Sequence, residues 1–518
     1  MQGLDKREEG EKLLKESLKI NMKNSTVWYY YGIFNKESKN FNQAAKCYTM
    51  AHKYDPNNFN VVRDLSYLCL FLGRFDEFLE YSRDGLTINS TVVCNWIQFS
   101  FALYLNNNYE EALKQINAIK EIGKENMKKQ EYSQVALYKG EILYKTEKYK
   151  ECIEELESEI EADHCSDRYK FYELIIRSSL KLENTEIGLK YTTKMLEINP
   201  ENIDVFLLYF NLKYPKLNLS CYESLFKLKE NSEEMNNLYN TLKNEIEPLL
   251  KKAKIIDRLE LALSSGDEFK RILIRYLLNN ISKNLPSIFK NITFIYHFQQ
   301  YKLPILSEII GKNLESIEKS GEISKEIFPE ETGQIPDRRL QTLFIWFYYL
   351  ASQHYQMINN NELALKYINL AINSTPSVVE FYSVKSKILK HCLNLEEAIL
   401  AAKKAYQLDL SDRYLNAKLA KSYLRNGDFT NARKIMNEFV KDPNLEVNMI
   451  RYQCMWYELE NGLCFLKNGL YLNAHYMFRG LLTNFEEMKE DQNDFYNYSL
   501  RRFMLNDFYK LIIINKNL

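Results

Sequence analysis

A repeat of 34 residues is the feature that most limits what this chain can fold into. Counting Trp28 as position 4 of a unit places Gly32 at position 8, Ala44 at 20, Tyr48 at 24 and Pro56 at 32. Small residues at positions 8 and 20 let two helices cross closely, large apolar residues fill the space beside them, and proline ends the second helix. Each unit therefore predicts a pair of packed helices, called helix A and helix B.

The same register returns along much of the chain. Steps of 34 residues lead from the first unit to Val62 and then to Trp96. Weaker units follow around Gly140 and Gly188. In the C-terminal third the register is marked by Ala351, Ala364 and Ala371, then by Leu389, Ala398 and Ala405, then by Leu419 and Ala432, and finally by Gly462, Ala474 and Phe478. This is the pattern of tetratricopeptide repeats, which predicts an all-α superhelix, or α-solenoid.

The middle of the chain departs from the repeat pattern. The segment from Tyr214 to Arg339 keeps helical periodicity but loses the signature residues, which predicts divergent helical pairs. Residues 320–337 combine glycine, proline and acidic residues, which predicts an exposed acidic loop. We therefore expect an N-terminal repeat array over residues 1–213, divergent helical repeats over 214–339, and a C-terminal array over 340–518 that forms a groove for a partner.

Composition excludes several classes of protein. The 69 Lys and Arg residues balance 69 Asp and Glu residues, so the chain has no overall charge that would attract nucleic acid. The nine cysteines form no Cys-x-x-Cys pair, which argues against zinc and redox sites and favours reduced thiols in a cytoplasmic protein. Neither a secretion signal nor an apolar run long enough to span a membrane is present in this sequence. We expect neither membrane contact nor direct sequence-specific nucleic-acid binding.

The sequence lacks the motifs of common catalytic sites. It contains no glycine-rich phosphate loop, no Gly-x-Ser-x-Gly elbow, and no Arg-x-x-Gly-x-Gly/Ala loop of the kind that binds acetyl-CoA. Its six histidines are widely separated and include no His-x-x-x-His pair. We therefore predict a non-catalytic protein with no metal and no cofactor of its own.

The repeat register predicts which residues line the concave groove. In this type of repeat, positions 2, 5, 9 and 12 of helix A face the groove. In the C-terminal units these positions include four aromatic residues, which are Trp346, Tyr349, Tyr414 and Trp456. Aromatic side chains on a partly desolvated wall commonly anchor protein interfaces. These four residues are the predicted contacts to a protein partner.

Basic residues converge beside those aromatics from two adjacent repeats. The cations at and near the groove positions are Lys385, Lys387, Lys390, Arg413, Lys418 and Lys421. Like charges placed this closely repel one another, and a bound polyanion would relieve that repulsion. Two interpretations stay open. These lysines could bind an anion, or they could form a solvated face or pair with Glu380 and Asp412.

The N-terminal groove allows two interpretations as well. The same positions there give Tyr29, Ile33, Arg63, Tyr67, Ile97, Phe101 and Tyr104. This wall could bind a peptide, or it could pack against another turn of the superhelix.

Several strings outside the repeat consensus resemble one family, the auxiliary, ribosome-anchoring subunits of the NatA amino-terminal acetyltransferase complex. The strings are Ala45-Lys46-Cys47-Tyr48 followed by Arg63-Asp64-Leu65-Ser66, Ser265-Gly266 followed by Phe269-Lys270, Tyr367-Ile368-Asn369 leading to Ser374-Thr375-Pro376, Asp412-Arg413 with Asn416 and Lys418, Gln453-Cys454-Met455-Trp456, and Asp491-Gln492 with Asp494-Phe495 and Tyr498. The resemblance extends from about Lys6 to about Tyr509. It starts about two repeats into the family pattern and stops before the family's C-terminal region, so we expect this chain to be part of a longer protein.

The resemblance implies a horseshoe or ring of repeats around a catalytic subunit of the GNAT fold. It implies docking to ribosomes for co-translational N-terminal acetylation, and a small regulatory subunit as a further partner. It implies inositol hexakisphosphate between the two subunits, bound by Lys385, Lys387, Lys390, Arg413, Lys418 and Lys421. It also places Tyr414 and Trp456 at contacts to the catalytic subunit.

Two rival interpretations belong to another class of protein. A generic repeat adaptor, such as a chaperone cofactor, needs paired Lys and Asn at groove positions of a compact three-repeat unit, which the N-terminal units lack. A scaffold in an RNA-processing or ubiquitin-ligase assembly is excluded by no spacing argument. Only the strings that resemble the NatA auxiliary subunits argue against such a scaffold.

Overall fold

The computed structural model describes residues 2–123, 127–250, 253–324 and 337–517, and that part of the chain contains 29 α-helices and no β-strand. It divides into two compact units, which are Met1–Ile198 with Lys489–Leu518, and Asn199–Met488. The predicted all-α tetratricopeptide-repeat fold is confirmed.

The helices of the N-terminal part of the first unit are α1 (Gln2–Ile20), α2 (Ser25–Glu37), α3 (Phe41–Tyr54), α4 (Phe59–Phe71), α5 (Phe75–Ile88), α6 (Val93–Leu105), α7 (Tyr109–Gly123), α8 (Lys129–Lys145), α9 (Tyr149–Glu161), α10 (Arg168–Lys181) and α11 (Thr185–Ile198). The second unit begins with α12 (Ile203–Lys213), α13 (Tyr222–Phe226), α14 (Glu233–Thr241), α15 (Lys254–Leu263), α16 (Gly266–Ile281), α17 (Ile288–Ile292), α18 (Phe294–His297) and α19 (Leu303–Ser320). It continues with α20 (Asp337–Met357), α21 (Asn361–Ser374), α22 (Val379–His391), α23 (Leu395–Leu408), α24 (Arg413–Arg425), α25 (Phe429–Val440), α26 (Leu445–Arg451) and α27 (Met455–Lys467). The last two helices are α28 (Tyr471–Arg501), which begins in the second unit, and α29 (Leu505–Asn517), which belongs to the first.

The turns between helix A and helix B repeat a single backbone conformation. One residue in each turn has a positive φ, and these residues recur at the repeat spacing as Lys39, Gly73 and Asn107 and again as Asn359, Leu393 and Gly427. Leu393 has a φ of 60°, a left-handed conformation that is costly for a residue with a branched apolar side chain. The geometry of the repeat is therefore strong enough to impose this conformation against local preference.

Small residues allow the helices of a repeat to cross closely, as the sequence predicts. A Cβ atom added at Gly32 would lie 2.4 Å from ring carbons of Tyr48, which is sixteen positions later in the same unit. The same relationship holds near the other end of the array, where a Cβ at Gly462 would lie 2.5 Å from the ring of Phe478. The glycine is needed at this position because the aromatic ring fills the space of the missing side chain.

The central part of the second unit lacks the regular pairing. Its helices include the short α13, α17 and α18, and they are interrupted by 3-10 turns at Pro215–Leu217 and Gln300–Lys302 and by a π-turn at Leu242–Ile246. Lys302 is fully buried here and its Nζ donates to the carbonyl oxygens of Leu261 and Ala262, at 2.7 and 3.0 Å, near the end of α15. Burial lowers the pKa of Lys302 to about 7. The acidic loop predicted over 320–337 lies mostly outside the described residues, which resume at α20.

Within the first unit, the chain's own C-terminal helices occupy part of the N-terminal groove. The ring of Phe101 in α6 stacks on Phe508 of α29 with centroids 5.4 Å apart, and Tyr104 meets Tyr509 edge-on at 5.1 Å. Phe101 is fully buried and Tyr104 nearly so. Of the two interpretations of this wall, the packing surface applies at these residues. Among the described residues, no helix combines the length and the hydropathy needed to cross a membrane.

The close crossing predicts opposite effects for two glycine substitutions in the second unit. Gly462→Ala should lower the free energy of unfolding by about 1–3 kcal/mol, because the ring of Phe478 must move. Gly311→Ala in α19 should instead raise it, by up to about 1 kcal/mol, because no atom lies within 4 Å of the added methyl group and alanine favours a helix. Urea unfolding followed by circular dichroism measures both. Equal effects of the two substitutions would contradict the role of the crossing.

Candidate functional site

Helices α22 and α24 bring several of the predicted cations together. The Nζ atom of Lys390 in α22 donates to the Oγ atom of Ser422 in α24 at 2.8 Å. Partial burial lowers the pKa of Lys390, and the positive charges of Lys418, Arg425 and Lys421 lower it further. No carboxylate among the described residues lies within ion-pair distance of Lys390. We call Lys390, Lys418, Lys421 and Arg425 the cation cluster.

One buried carboxylate faces the cation cluster from α27. Glu460 is 9% exposed, and its Oε1 atom lies 3.0 Å from Nζ of Lys421 and 2.8 Å from Nη2 of Arg425. The Nε atom of Arg425 also donates to Oε2 at 3.0 Å, which makes the arginine contact bidentate. Burial opposes the charged form of Glu460, but the hydrogen bonds from Arg425 and Lys421 outweigh it and lower its pKa. Of the four cations in the cluster, Lys421 and Arg425 contact this carboxylate.

The ion pairs that the sequence suggested are not the ones that form. In the described part of the chain, neither Glu380 nor Asp412 pairs with these lysines, and Asp412 instead accepts a hydrogen bond from the backbone N–H of Tyr414 at 2.7 Å, as the N-cap of α24. Sequence reasoning missed Arg425 and Glu460. Arg425 lies one turn after Lys421, so helical spacing could have identified it. Glu460 lies 35 residues further along and gave no local signal.

The other three predicted cations are less closely involved. Lys387 is exposed and lies one turn before Lys390 on α22, so both project from one face of that helix. Lys385 lies on a different face of α22. The guanidinium of Arg413 is 5.7 Å from the ring centroid of Phe439, which places it over a neighbouring helix.

The predicted aromatic contacts differ in exposure. Tyr349 is only 7% exposed, because Phe381 at the start of α22 packs against its ring at 5.3 Å. The structure thus places Tyr349 in the core, where it supports the half-buried Trp346, whose ring lies 5.5 Å from that of Phe381. Tyr414 is 66% exposed, with Nζ of Lys418 5.4 Å from its ring centroid. Trp456 is half-buried and also reaches the surface. Of the four predicted aromatic contacts, Tyr349 is therefore a core residue, and the other three remain accessible.

An apolar stripe runs along one face of α27. It consists of Trp456, Leu459, Leu463 and Leu466, whose spacing of three, four and three residues places them on one side of the helix. The three leucines are 44%, 49% and 47% exposed. They occupy positions 5, 9 and 12 of the last unit, so extending the register beyond Trp456 would have found them. A continuous exposed apolar face of this kind marks an interaction surface.

The stripe and the cation cluster are neighbours. Glu460, which holds Lys421 and Arg425, lies four residues after Trp456 and hence one helical turn away on α27. The apolar face of α27 thus lies beside the α24 cations that Glu460 binds. That arrangement suits a partner with an apolar helix and an anion between the two surfaces.

The opposite face of α27 holds a buried acid. Glu458 is fully buried, and its Oε1 atom accepts a hydrogen bond from Nδ2 of Asn484 in α28 at 2.8 Å. Its Oε2 atom and both amide atoms of the neighbouring Asn461 have no partner among the described residues. Burial raises the pKa of Glu458. In the described ranges, no group of three His, Cys, Asp or Glu side chains could hold a metal ion.

A family model and individual relatives all point to the same family of proteins. A family model described as "N-terminal acetyltransferase A, auxiliary subunit" matches residues 130–518. The "N-alpha-acetyltransferase 16, NatA auxiliary subunit" of Mus musculus is 28% identical over 516 residues, which are 98% of this chain and 56% of that protein. The "N-terminal acetyltransferase A complex auxiliary subunit NAA15" of Arabidopsis thaliana is 26% identical over 98% of this chain and 55% of its own length. The chain thus spans about half the length of these relatives.

A solved structure supports the same relationship. A chain in the structure of Naa15/Naa10 bound to HypK-THB aligns with 99% of this chain and 73% of its own, with a TM-score of 0.84 and 25% identity. The likeness therefore extends over nearly all of the present chain.

Replacing the buried acid should stabilise the protein at neutral pH. A raised folded-state pKa means that the stability contribution of Glu458 is present below its unfolded pKa and is lost as the pH rises through the folded pKa. Glu458→Gln should raise the free energy of unfolding by about 1 kcal/mol at pH 7, and its advantage should shrink as the pH falls toward 5. Urea unfolding at several pH values tests this, with Glu486→Gln, an exposed position on α28, as the control. A constant difference across pH would contradict the prediction.

Proposed function

Because the chain belongs to the family of NatA auxiliary subunits, we propose that it is a non-catalytic scaffold that holds the catalytic subunit of an N-terminal acetyltransferase. The sequence lacks an acetyl-CoA loop, so the transfer step falls to the partner. Family membership also disfavours the generic adaptor, RNA-processing and ubiquitin-ligase alternatives.

The observation that carries this proposal is the apolar stripe of α27 beside the cation cluster. Three leucines and Trp456 offer a face into which an apolar helix could pack. Trp346 and Tyr414 occupy groove positions of preceding repeats and extend the proposed contact. The solved structure that aligns with this chain contains Naa15 together with Naa10, which supports a partner of that type.

The cation cluster supports a second part of the proposal, a polyphosphate bound next to the partner. Lys390 and Lys418 lack carboxylate partners among the described residues, and only Glu460 offsets the charge of Lys421 and Arg425. Inositol hexakisphosphate, which the family resemblance implies, has the charge density that such a cluster would neutralise. Lys387 would join from the same face of α22. Lys385 and Arg413 would contribute at the periphery of the site.

Docking to ribosomes in the cytoplasm completes the proposed function. It rests on family membership, and we expect co-sedimentation of the assembled complex with ribosomes. A small third subunit also belongs to the proposal, since the aligned structure contains HypK-THB.

Truncating the aromatic residue of the stripe should weaken partner binding. Trp456→Ala should reduce affinity for the co-expressed catalytic subunit by ~2–4 kcal/mol, or about 30- to 1,000-fold, as for a central interface aromatic. Isothermal titration calorimetry measures the change. Trp96→Ala is the control, because the Nε1 atom of Trp96 donates to the carbonyl oxygen of Ser90 at 2.8 Å in the first unit. Unchanged affinity in a folded Trp456→Ala protein would refute the role of the stripe.

A polyphosphate should stabilise the complex through the cation cluster. At ~100 times Kd, bound inositol hexakisphosphate should add about 2.7 kcal/mol to stability, which raises Tm by a few degrees. The double variant Lys418→Gln with Lys421→Gln should lose most of that shift. Lys403→Gln with Lys404→Gln, two exposed positions on α23, should keep it. The shift should also decrease with salt, because exposed charges are screened over about 8 Å at physiological ionic strength. Thermal unfolding of the heterodimer is the measurement, and equal shifts in both double variants would refute the site.

A further inference from the structure

Lys390 differs from the other lysines of the candidate site in its surroundings. Its amine is partly buried between α22 and α24, and it donates to Ser422, whose hydroxyl in turn donates to the carbonyl oxygen of Lys418 at 2.8 Å. Three further cations surround it, and no described carboxylate pairs with it. Most lysines have a solvated ammonium group that ion pairs or water keep protonated. The ammonium group of Lys390 is neither fully solvated nor paired with a carboxylate of the described residues.

These surroundings favour the neutral amine, which is the nucleophilic form. Burial and neighbouring positive charges both penalise the ammonium ion and lower the pKa of Lys390. Each unit by which a lysine pKa falls raises its neutral fraction about tenfold at a pH well below that pKa. A hydrogen bond to Ser422 also holds the amine in place, since the side chain loses part of its rotational freedom.

The same cations would recruit a phosphate-bearing reagent. Lys418, Lys421 and Arg425 lie beside the amine and carry more charge than Glu460 neutralises. An acyl thioester of coenzyme A carries a diphosphate and a 3′-phosphate at one end and the reactive carbonyl at the other. Phosphates held by the cluster would keep the thioester near Lys390, which raises its effective concentration.

We propose that Lys390 is an acyl-acceptor site, modified by acyl-coenzyme A thioesters that the cation cluster binds through their phosphates. The neutral Nζ attacks the thioester carbonyl carbon and forms an amide bond. The carbon–sulfur bond breaks, coenzyme A leaves as the thiolate, and the attacking nitrogen loses one of its two protons to water as it becomes the amide nitrogen. The product has no charge at Lys390.

Acylation would change the charge of the proposed polyphosphate site, and this consequence rests on the proposed function above. The cluster would fall from four cations to three, with Glu460 still present. A bound polyphosphate and an acyl group at Lys390 should therefore oppose each other.

Site-resolved mass spectrometry of the purified chain incubated with acetyl-coenzyme A tests the proposal. Lys390 should be acetylated at least about threefold faster than the exposed Lys403 and Lys404 of α23, because its neutral fraction is larger. N,S-diacetylcysteamine, a thioester without phosphates, should reduce this preference. The variant Lys418→Gln with Lys421→Gln should reduce it too. A rate at Lys390 no higher than at Lys403 and Lys404 overturns the proposal. Equal preference with the phosphate-free thioester overturns recruitment by the cluster.

A separate measurement keeps this inference distinct from the polyphosphate site. Inositol hexakisphosphate should protect Lys390 from acetylation, and Lys390→Gln should reduce the thermal shift that the polyphosphate causes, whereas Lys390→Arg should retain it. Selective acetylation without any polyphosphate shift in the unmodified protein would refute the polyphosphate site alone. A normal shift without selective acetylation would refute the acceptor site alone.

Discussion

The close crossing of two helices at a small residue is the contact on which the whole array depends. An isolated helix pair of this size cannot bury both of its apolar faces, so each unit gains stability only by packing on the next. Gly32 beneath Tyr48 and Gly462 beneath Phe478 show the same contact near opposite ends of the chain. The angle set at each crossing decides which side chains of helix A face outward, and so it also positions the residues available for binding.

That constraint explains why the features of the candidate site appear on α22, α24 and α27. Each is a helix A, and consecutive helices A lie side by side in a stack. Side chains of α22 and α24 are thereby brought together although they are about 30 residues apart in sequence, as the hydrogen bond from Lys390 to Ser422 shows. The register therefore converts a period in the sequence into a cluster of side chains in space.

The sequence predicted the all-α repeat fold, but it did not predict which side chains contact one another across helices. Periodicity correctly grouped Lys390, Lys418 and Lys421. It placed Tyr349 on the same face as Trp346, yet Phe381 covers Tyr349, because burial depends on the size of side chains in the next repeat. Glu460 was missed for a similar reason. It contacts Arg425, which lies 35 residues earlier, and no local sequence pattern predicts that contact. The left-handed Leu393 also escaped prediction, because the turn imposes a conformation that leucine itself disfavours.

The position of Glu460 links the two halves of the candidate site. Its carboxylate binds cations of α24, while its helix carries the apolar stripe, so α24 cannot shift relative to α27 without breaking a bidentate contact. A buried carboxylate of this type costs solvation energy, which its two cationic partners offset only while they stay in place. The contact therefore fixes the distance between the cation cluster and Trp456. A partner that packs on the stripe and a polyphosphate that binds the cluster would meet at a spacing set by this single side chain, which argues that the two surfaces form one site.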